Sequence, residues 1–307
     1  MIEVENLTKH YGHHTAVDGL TFTADAGEIV GLLGPNGAGK TTTMRMLTGF
    51  MPPTSGSARI AGFDIFTDSL EVRKRVGYLP ERVPLYPDMT VKGYVTFWAE
   101  LRGAKQPRQQ AERALEMVNL SDRRNTLVRN LSKGMRQRLG LAQALVHDPQ
   151  VVILDEPTIG IDPQQVIEVR ERVRALRQQH TVLFSTHILS EAEQICDRVV
   201  IINKGKIVAQ GAPNALRQQL QHGVNLYVQI SGANSATAGR LLSDLRGVQS
   251  VEAQGDGFIV RARQGADVRG DIAQRVVQAG YTLLEMRPVA MTLEEIFLDI
   301  VGKGQAS

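Results

Sequence analysis

The segment "GPNGAGKT", residues 34–41, is the feature that most constrains the fold of this chain. It matches the pattern G-x-x-x-x-G-K-S/T, follows the apolar run "EIVGLLG" and precedes the helix-like run "TTMRMLTG". Glycines in such a segment let backbone N–H groups turn toward phosphate oxygens at the start of a helix, whose dipole also favours anions. The sequence therefore predicts a phosphate-binding loop between a strand and a helix.

Side chains of this loop predict a Mg²⁺-dependent nucleotide site. Lys40 is expected to reach the β- and γ-phosphates, and the Thr41 hydroxyl is expected to ligate Mg²⁺. The predicted phosphate-binding residues of the loop are Gly34, Asn36, Gly37, Ala38, Gly39, Lys40, Thr41 and Thr42.

A second motif, "VVILDE" at residues 151–156, is an apolar run that ends in two acidic residues. A strand that ends in Asp155 can place a carboxylate beside Mg²⁺, directly or through water. Glu156, at the tip of that strand, could accept a proton from the attacking water or orient it. Solvated turn carboxylates are the alternative for an isolated acidic pair, but the phosphate loop in the same chain favours the catalytic interpretation.

Strand-like and helix-like segments alternate along the first two thirds of the chain, which indicates an α/β fold with a parallel sheet. Residues 163–178 have helical spacing of apolar side chains, and residues 88–146 form a predicted helical insert. The apolar runs that suit buried strands are 28–34, 151–157, 181–187 and 198–211.

The last third of the chain has a different pattern. Residues 224–289 predict the order strand, helix, strand, strand, helix, strand, which is the ferredoxin-like pattern, and a last helix is expected at 292–301. Residues 224–302 contain no histidine and no cysteine, which removes the best ligands for transition metals. We therefore expect an α+β domain at 221–307 that stabilises a dimer or regulates the first domain.

Composition bounds these expectations. A length of 307 residues allows about two domains, and 42% hydrophobic with 22% charged residues is ordinary for globular proteins. The formal charge of +3 is too small to indicate a nucleic-acid partner. A single Cys196 favours a reducing compartment, and no signal peptide or run of about 18 apolar residues is visible.

The segment "LSKGM", residues 131–135, lies about 20 residues before "VVILDE". It is similar to the LSGGQ signature of the ATP-binding subunits of ABC transporters, with Lys133 and Met135 as departures. The resemblance implies a P-loop ABC cassette at residues 1–220, with a RecA-like parallel core, an antiparallel β edge and a helical subdomain at about 88–146. It also implies that Ser132 and Gly134 bind the γ-phosphate held by a partner cassette in a head-to-tail dimer.

Three further residues match family elements one by one. The resemblance implies that Tyr11 stacks on adenine and that His187, in "FSTH", donates a hydrogen bond to the γ-phosphate. Asp162, in "GID", would couple the two composite sites across the dimer interface. Three more histidines have no ligand-like partners in the sequence and are expected at the solvated surface: His10, His13 and His14.

Glu81 departs from the family pattern, which has glutamine at this position. Glutamine offers a carbonyl oxygen to Mg²⁺ or water without adding charge, whereas glutamate makes an anionic site more negative. Three roles remain open for Glu81: Mg²⁺ ligation, sensing of the membrane partner, or a salt bridge with Arg82 or another basic neighbour.

The function implied by the resemblance is ATP binding and hydrolysis that powers a transporter, with Mg²⁺ as cofactor. "GYLPE" and "LEEIFLDIVG" resemble the branch that pairs with separate exporter-type permeases, and "YLPERVPLYPDMTV" is most similar to gliding-motility-associated ATPases. We expect a peripheral subunit on the cytoplasmic face of the plasma membrane, in a homodimer or a heterodimer with a related cassette.

Two alternatives belong to other functional classes. A soluble ABC-type ATPase acting on ribosomes or nucleic acid would have two cassettes, long coiled coils or a cysteine-rich zinc module, and none of these is visible. A nucleotide-binding regulator that does not hydrolyse ATP is opposed by the presence of Glu156 and His187. Slow ATP turnover would distinguish that regulator.

Overall fold

The computed structural model describes residues 1–177, 179–220, 225–263 and 265–289. The chain divides into two compact units, Met1–Pro213 and Asn214–Ser307. This division lies near the predicted boundary between residues 220 and 221, and the division into functional domains 1–220 and 221–307 remains our proposal.

The first unit contains ten strands and seven α-helices within its described residues. In chain order these are β1 (Ile2–Tyr11), β2 (His14–Ala24), β3 (Ile29–Leu33), α1 (Lys40–Leu47), β4 (Ser55–Ile60), β5 (Phe63–Asp64), α2 (Ser69–Arg75), β6 (Val76–Leu79), α3 (Val91–Leu101), α4 (Pro107–Met117), α5 (Lys133–Leu145), β7 (Val151–Asp155), α6 (Pro163–Leu176), β8 (Thr181–Thr186), α7 (Leu189–Ile195), β9 (Arg198–Asn203) and β10 (Lys206–Gly211).

Two sheets form the body of this unit. One is antiparallel, in the order β2-β1-β4-β5, and the other has the order β10-β9-β3-β8-β7-β6 with parallel pairing from β9 to β6. Strands β3, β7 and β8 are buried along their whole length, as expected for parallel strands covered on both faces. The predicted α/β class, parallel core and antiparallel edge are confirmed.

The run 198–211, expected to be one strand-like segment, folds as the hairpin β9–β10. Lys204 and Gly205 both adopt left-handed backbone conformations, with φ of 48° and 81°, which is the geometry of a two-residue hairpin turn. Strand β10 alternates between exposed and partly buried residues because it lies at the edge of the sheet.

The predicted helical insert is confirmed as α3, α4 and α5, with two 3₁₀ turns between α4 and α5. Thr90 caps α3, since its hydroxyl accepts a hydrogen bond from the Gly93 N–H at 3.1 Å. Apolar residues at helical spacing in α4 and directly after it are buried: Ala111, Ala114, Leu115 and Val118.

Helix α1 shares one apolar core with the two sheets of the first unit. Met44, Met46 and Leu47 are fully buried against side chains of both sheets. This packing fixes the helix, and therefore the loop that precedes it, against the carboxyl end of β3.

The division between the units lies at α8 (Pro213–Leu220). The second unit then contains β11 (Asn225–Ser231), α9 (Ser235–Ser243), β12 (Val248–Gln254), β13 (Gly257–Ala262), α10 (Arg269–Gln278) and β14 (Thr282–Pro288). Its sheet is antiparallel in the order β12-β13-β11-β14, and both helices contribute to its core. The predicted ferredoxin-like order is confirmed, whereas the helix expected at 292–301 lies outside the described residues.

Candidate functional site

A cleft of about 460 Å³ opens beside the loop that joins β3 to α1. The neighbouring strands in the sheet run β3-β8-β7, so the loops after their carboxyl ends lie side by side, where ligands bind in open parallel sheets. The lining residues are Tyr11, His14, Ala16, Asn36, Gly37, Ala38, Gly39, Lys40, Thr41, Thr42, Glu81, Glu156 and Ile159.

Two glycines of the loop are required by close backbone contacts. A Cβ on Gly34 would lie 2.3 Å from the Ile202 carbonyl oxygen, and one on Gly39 would lie 2.5 Å from that of Ala16. Gly39 also has φ of 107°, a conformation that side chains strongly disfavour. The loop can therefore approach its neighbours only with glycine at these positions.

Lys40, the first residue of α1, is buried among oxygen atoms. Its Nζ donates to the carbonyl oxygens of Gly34 at 2.8 Å and Pro35 at 3.3 Å. The same Nζ lies 3.3 Å from Oε1 of Glu156, and both side chains are almost completely buried. The phosphate loop and the end of β7 are thus joined by one ion pair.

Glu156 also contacts His187, which follows the end of β8. Oε2 of Glu156 lies 2.8 Å from Nδ1 of His187. A carboxylate only accepts hydrogen bonds, so Nδ1 carries the proton in this pair, and Nε2 can also donate only in the imidazolium form. Lys40, Glu156 and His187 therefore form one connected group.

The backbone of Glu156 adopts a left-handed conformation, with φ of 50°. Ser185 holds it there, because the Glu156 N–H lies 3.0 Å from the Ser185 hydroxyl oxygen and 3.2 Å from its carbonyl oxygen. Non-glycine residues in this region are often part of functional sites. The turn directs the carboxylate toward Lys40 and His187 immediately after the strand ends.

Asp155, the last residue of β7, is fully buried, and its Oδ1 accepts a hydrogen bond from the Ser185 hydroxyl at 2.7 Å. Burial raises the pKa of the Asp155 carboxyl. The hydroxyls of Ser185 and Thr41 act in the opposite direction, and the charges of Glu156 and Glu81 raise the pKa further. Oδ2 has no hydrogen-bond partner among the residues that the structure describes, so this carboxylate retains an oxygen that could accept a ligand.

These oxygens fit Mg²⁺, which prefers hard oxygen ligands and is often held by one or two carboxylates together with substrate phosphates. Within the described ranges, no cluster of three or more His, Cys, Asp or Glu side chains could hold a metal by itself.

Tyr11 and Glu81 both line the cleft, as their predicted roles require. Tyr11 is 46% exposed and its hydroxyl donates to the Met51 sulfur at 3.1 Å. Glu81 is exposed and forms no ion pair with any residue that the structure describes, so the salt bridge considered with Arg82 is not present.

The signature residues do not line this cleft. Ser132 caps α5 by accepting from the Met135 N–H at 3.3 Å, and Asp162 caps α6 by accepting from the Gln165 N–H at 3.0 Å. Gly134 lies against the end of the Gln165 side chain, so a side chain added at residue 134 would displace that amide. The two helix starts therefore lie together, apart from the phosphate loop of the same chain.

Several residues of the site were missed or interpreted differently from the sequence. The Ser185 hydroxyl donates to the Asp155 carboxylate and accepts from the Glu156 backbone N–H, but a serine within an apolar strand gives no recognisable pattern. His10, His13 and His14 are exposed as predicted, yet His14 also lines the cleft, as do Ala16 and Ile159.

Comparisons with known proteins identify the family of this chain. Residues 17–159 match the ABC transporter family. The linearmycin resistance ATP-binding protein LnrL of Bacillus subtilis (strain 168) is 33% identical over 99% of each chain. The Nod factor export ATP-binding protein I of Ralstonia nicotianae (strain ATCC BAA-1114 / GMI1000) is 36% identical over 99% of this chain and 94% of that protein.

A solved structure shows the same fold. The dimeric, post-hydrolysis structure of the ATP-binding cassette MJ0796, bound to ADP and Pi, superposes with a TM-score of 0.63 and 24% identity, over 69% of this chain and 98% of that one. No helix among the described residues is long and apolar enough to cross a membrane. The chain therefore belongs to the ABC transporter family, as an ATP-binding subunit whose hydrolysis of ATP is coupled to transport.

Proposed function

We propose that this chain binds Mg–ATP in the cleft at its phosphate loop and hydrolyses it to drive an exporter through a separate membrane permease. The connected contacts among Lys40, Glu156 and His187 carry this proposal. They join the phosphate loop to a carboxylate that can accept a proton and to an imidazole that can donate a hydrogen bond. These are the groups that phosphoryl transfer to water needs, since its catalysis is mostly positioning and charge stabilisation.

Each group has a proposed step. Backbone N–H groups of the loop and the Lys40 ammonium bind the β- and γ-phosphates, and the Tyr11 ring stacks on adenine. The Glu156 carboxylate orients the attacking water and accepts its proton as the bond from the γ-phosphorus to the bridging oxygen breaks. The His187 ring, held by Glu156, donates from Nε2 toward a γ-phosphate oxygen. The products are ADP and phosphate.

The proposed Mg²⁺ ligands are the Thr41 hydroxyl and the carboxylates of Asp155 and Glu81. When bound, the metal supplies positive charge that neutralises the β- and γ-phosphates. The unpartnered Oδ2 of Asp155 and the position of Glu81 in the lining support this assignment.

A pair of cassettes is the proposed working unit. Ser132, Gly134 and Asp162 lie outside the cleft lining of their own chain, which supports a role toward the nucleotide of a partner cassette. The similar cassette MJ0796 is a dimer. The partner would be a second copy of this chain or a related cassette.

Export is the proposed direction of transport. Relatives matched over nearly their whole length are named for Nod factor export and linearmycin resistance, and removal from the cell fits both names. We therefore propose a peripheral subunit on the cytoplasmic face of the plasma membrane, attached to permease subunits, with no nucleic-acid partner.

The Glu156→Gln variant tests the catalytic assignment. It keeps the phosphate loop but loses the proton acceptor, so we expect Mg–ATP binding to persist while kcat falls by about 100-fold or more. Steady-state hydrolysis and equilibrium binding measure the two effects, with Glu71→Gln, at a partly exposed position of α2 outside the cleft lining, as the matched control. Hydrolysis at the wild-type rate by Glu156→Gln would overturn the assignment.

The same variant tests the transport partner. With Mg–ATP it should capture a multi-span membrane protein from gently solubilised native membranes, identified by mass spectrometry. Recovery of ribosomal or DNA-bound proteins without a membrane protein would contradict the permease partner and favour the soluble class of ABC ATPase.

A further inference from the structure

A buried carboxylate lies behind the site, outside the motifs that identify the family. Glu191, in the first turn of α7, is only 1% exposed and does not line the cleft. A buried carboxylate is costly unless its oxygens are paired, so its partners indicate what holds it there.

Three donors converge on Glu191. Its Oε2 accepts hydrogen bonds from the hydroxyls of Thr158 at 2.8 Å and Thr186 at 3.1 Å. Its Oε1 lies 3.2 Å from Nη2 of Arg170, on α6, and Arg170 is itself fixed by a hydrogen bond to Gln194 at 3.1 Å. Hydrogen bonds to an ionised acceptor are stronger than neutral ones.

One hydroxyl belongs to the loop that carries Glu156, and the other belongs to the last residue of β8, directly before His187. Thr158 lies two residues after Glu156. The N–H of the next residue, Ile159, donates a hydrogen bond to the Glu156 carbonyl oxygen at 3.1 Å. Thr186 is the last residue of β8, directly before His187, and its hydroxyl also accepts from the Ile188 N–H at 3.0 Å. Thr158 and Thr186 are both buried.

We propose that Glu191 is a positioning residue that sets Glu156 against His187. One carboxylate oxygen of Glu191 accepts hydrogen bonds both from the loop after β7 and from the end of β8. The other oxygen forms an ion pair with α6. The contact of 2.8 Å between Glu156 and His187 then has a fixed geometry that neither loop defines alone. This inference rests on the proposed roles of Glu156 and His187 in hydrolysis.

The kinetic consequence is specific. The phosphate loop is held by α1 and by its own glycine contacts, so ATP binding does not depend on Glu191. A displaced Glu156 would still face the nucleotide, but it would orient water less well, and small misplacements of catalytic groups lower rates strongly. The effect should appear in kcat and leave KM for ATP nearly unchanged.

Thr158→Val is the first test, because valine keeps the shape of threonine and removes only the hydroxyl. We expect kcat to fall by about tenfold, the scale of one lost hydrogen bond to a charged group, with KM unchanged. Thr158→Ser, which retains the hydroxyl, should restore most of kcat. Thr8→Val is the matched control, since Thr8 is a buried threonine with a bonded hydroxyl in β1, and it should leave kcat unchanged.

A double variant separates positioning from a general structural effect. If Thr158 acts through Glu156, then Thr158→Val should lower kcat little further in the Glu156→Gln background. Equal fold-losses in both backgrounds, or an unchanged kcat in Thr158→Val, would overturn the inference. Glu191→Gln, which exchanges one oxygen for a donor facing Arg170, should behave as Thr158→Val does.

Failure of the inference is distinguishable from failure of the proposed function. If Glu156→Gln hydrolyses ATP slowly and Thr158→Val hydrolyses it at the normal rate, the role of Glu191 is rejected and the role of Glu156 is kept. A Glu156→Gln of normal rate rejects both.

Discussion

Lys40 is a buried cation. Its ammonium donates hydrogen bonds to two carbonyl oxygens of its own loop and forms an ion pair with Glu156. Phosphate oxygens are stronger acceptors than carbonyls, and the loop also presents N–H groups to them. One residue therefore links nucleotide binding to the position of the catalytic carboxylate.

Lys40→Ala should weaken nucleotide binding, because it removes the positive charge that faces the β- and γ-phosphates. We expect the Kd for Mg–ATP, measured by calorimetry, to rise by about tenfold or more. Lys74→Ala, at an exposed position of α2, is the control and should bind as the unchanged protein does. An unaltered Kd in Lys40→Ala would contradict the assignment of Lys40.

His147 gives a prediction about pH that is independent of the nucleotide site. Burial, with a smaller effect of the Arg102 charge, lowers the pKa of His147 to about 4, while its Nε2 lies 3.1 Å from the Val76 carbonyl oxygen. An unfolded histidine titrates near 6.5, so between pH 6.5 and 4 the unfolded chain binds more protons than the native one. Stability should therefore fall as pH falls through this window.

The expected contribution of His147 is about 3 kcal/mol at most, from the difference between the two pKa values. His147→Gln removes this titration, so its free energy of unfolding, measured with urea, should decrease less between pH 6.5 and 4 than that of the unchanged protein. His13→Gln, at an exposed position, is the control. Identical pH dependence in His147→Gln and the unchanged protein would refute the prediction.

The sequence predicted individual site residues where they lie together in one short motif. Lys40 and Thr41 follow from a loop of eight residues, and Asp155 and Glu156 follow from one strand and its end. Ser185 and Glu191 were missed because the contacts that join them to the loop after β7, with Glu156 and Thr158 respectively, span about 30 residues of sequence. Such contacts depend on which strands are neighbours, and a lone serine or glutamate carries no signal of that.

At the scale of elements, β3 packs tightly against the residue that follows α7 and against β9. A Cβ on Gly31 would lie 2.8 Å from the Sγ of Cys196 and 3.3 Å from Cγ1 of Val199. Cys196 itself is buried, and burial raises the pKa of its thiol. The strand before the phosphate loop therefore requires a glycine for packing, although Gly31 lies outside the loop motif.

Gly31→Ala should lower the free energy of unfolding by about 1 to 3 kcal/mol, because an added methyl group overpacks this contact. The loss should be smaller in a Cys196→Ala background, where the sulfur has been removed and the nearest remaining atom of that residue is at 3.6 Å. Urea unfolding of the four proteins measures the coupling. Equal losses in both backgrounds would show that the sulfur is not the obstacle.

The pattern of elements was largely predictable, because helical and strand periodicities are local. Residues 88–146 gave three helices, and residues 224–289 gave the predicted order of the second unit. The run 198–211 was wrong as a single strand, since its turn at Lys204 and Gly205 lies within a continuous β-like sequence. The turn depends on a positive φ at Lys204, and lysine is not a residue type that predicts this conformation.

At the scale of the whole molecule, the chain contains two units with separate cores. The first core joins α1 to two sheets, and the second is formed by one antiparallel sheet and two helices. Every residue that lines the cleft lies in the first unit, as does His187. The change in pattern near residue 220 predicted the second unit, but its role depends on partner surfaces that one sequence does not define.

Removal of residues 221–307 should separate nucleotide binding from pairing of cassettes. We expect the shortened chain to bind Mg–ATP as the full chain does, because the cleft and its core are complete without the second unit. The Glu156→Gln form should dimerise with Mg–ATP in the full chain and fail to do so after truncation, as measured by analytical ultracentrifugation. The full-length Glu156→Gln chain without nucleotide is the control. Unchanged dimerisation after truncation would reject the predicted role of the second unit, and lost ATP binding would show that the first unit depends on it.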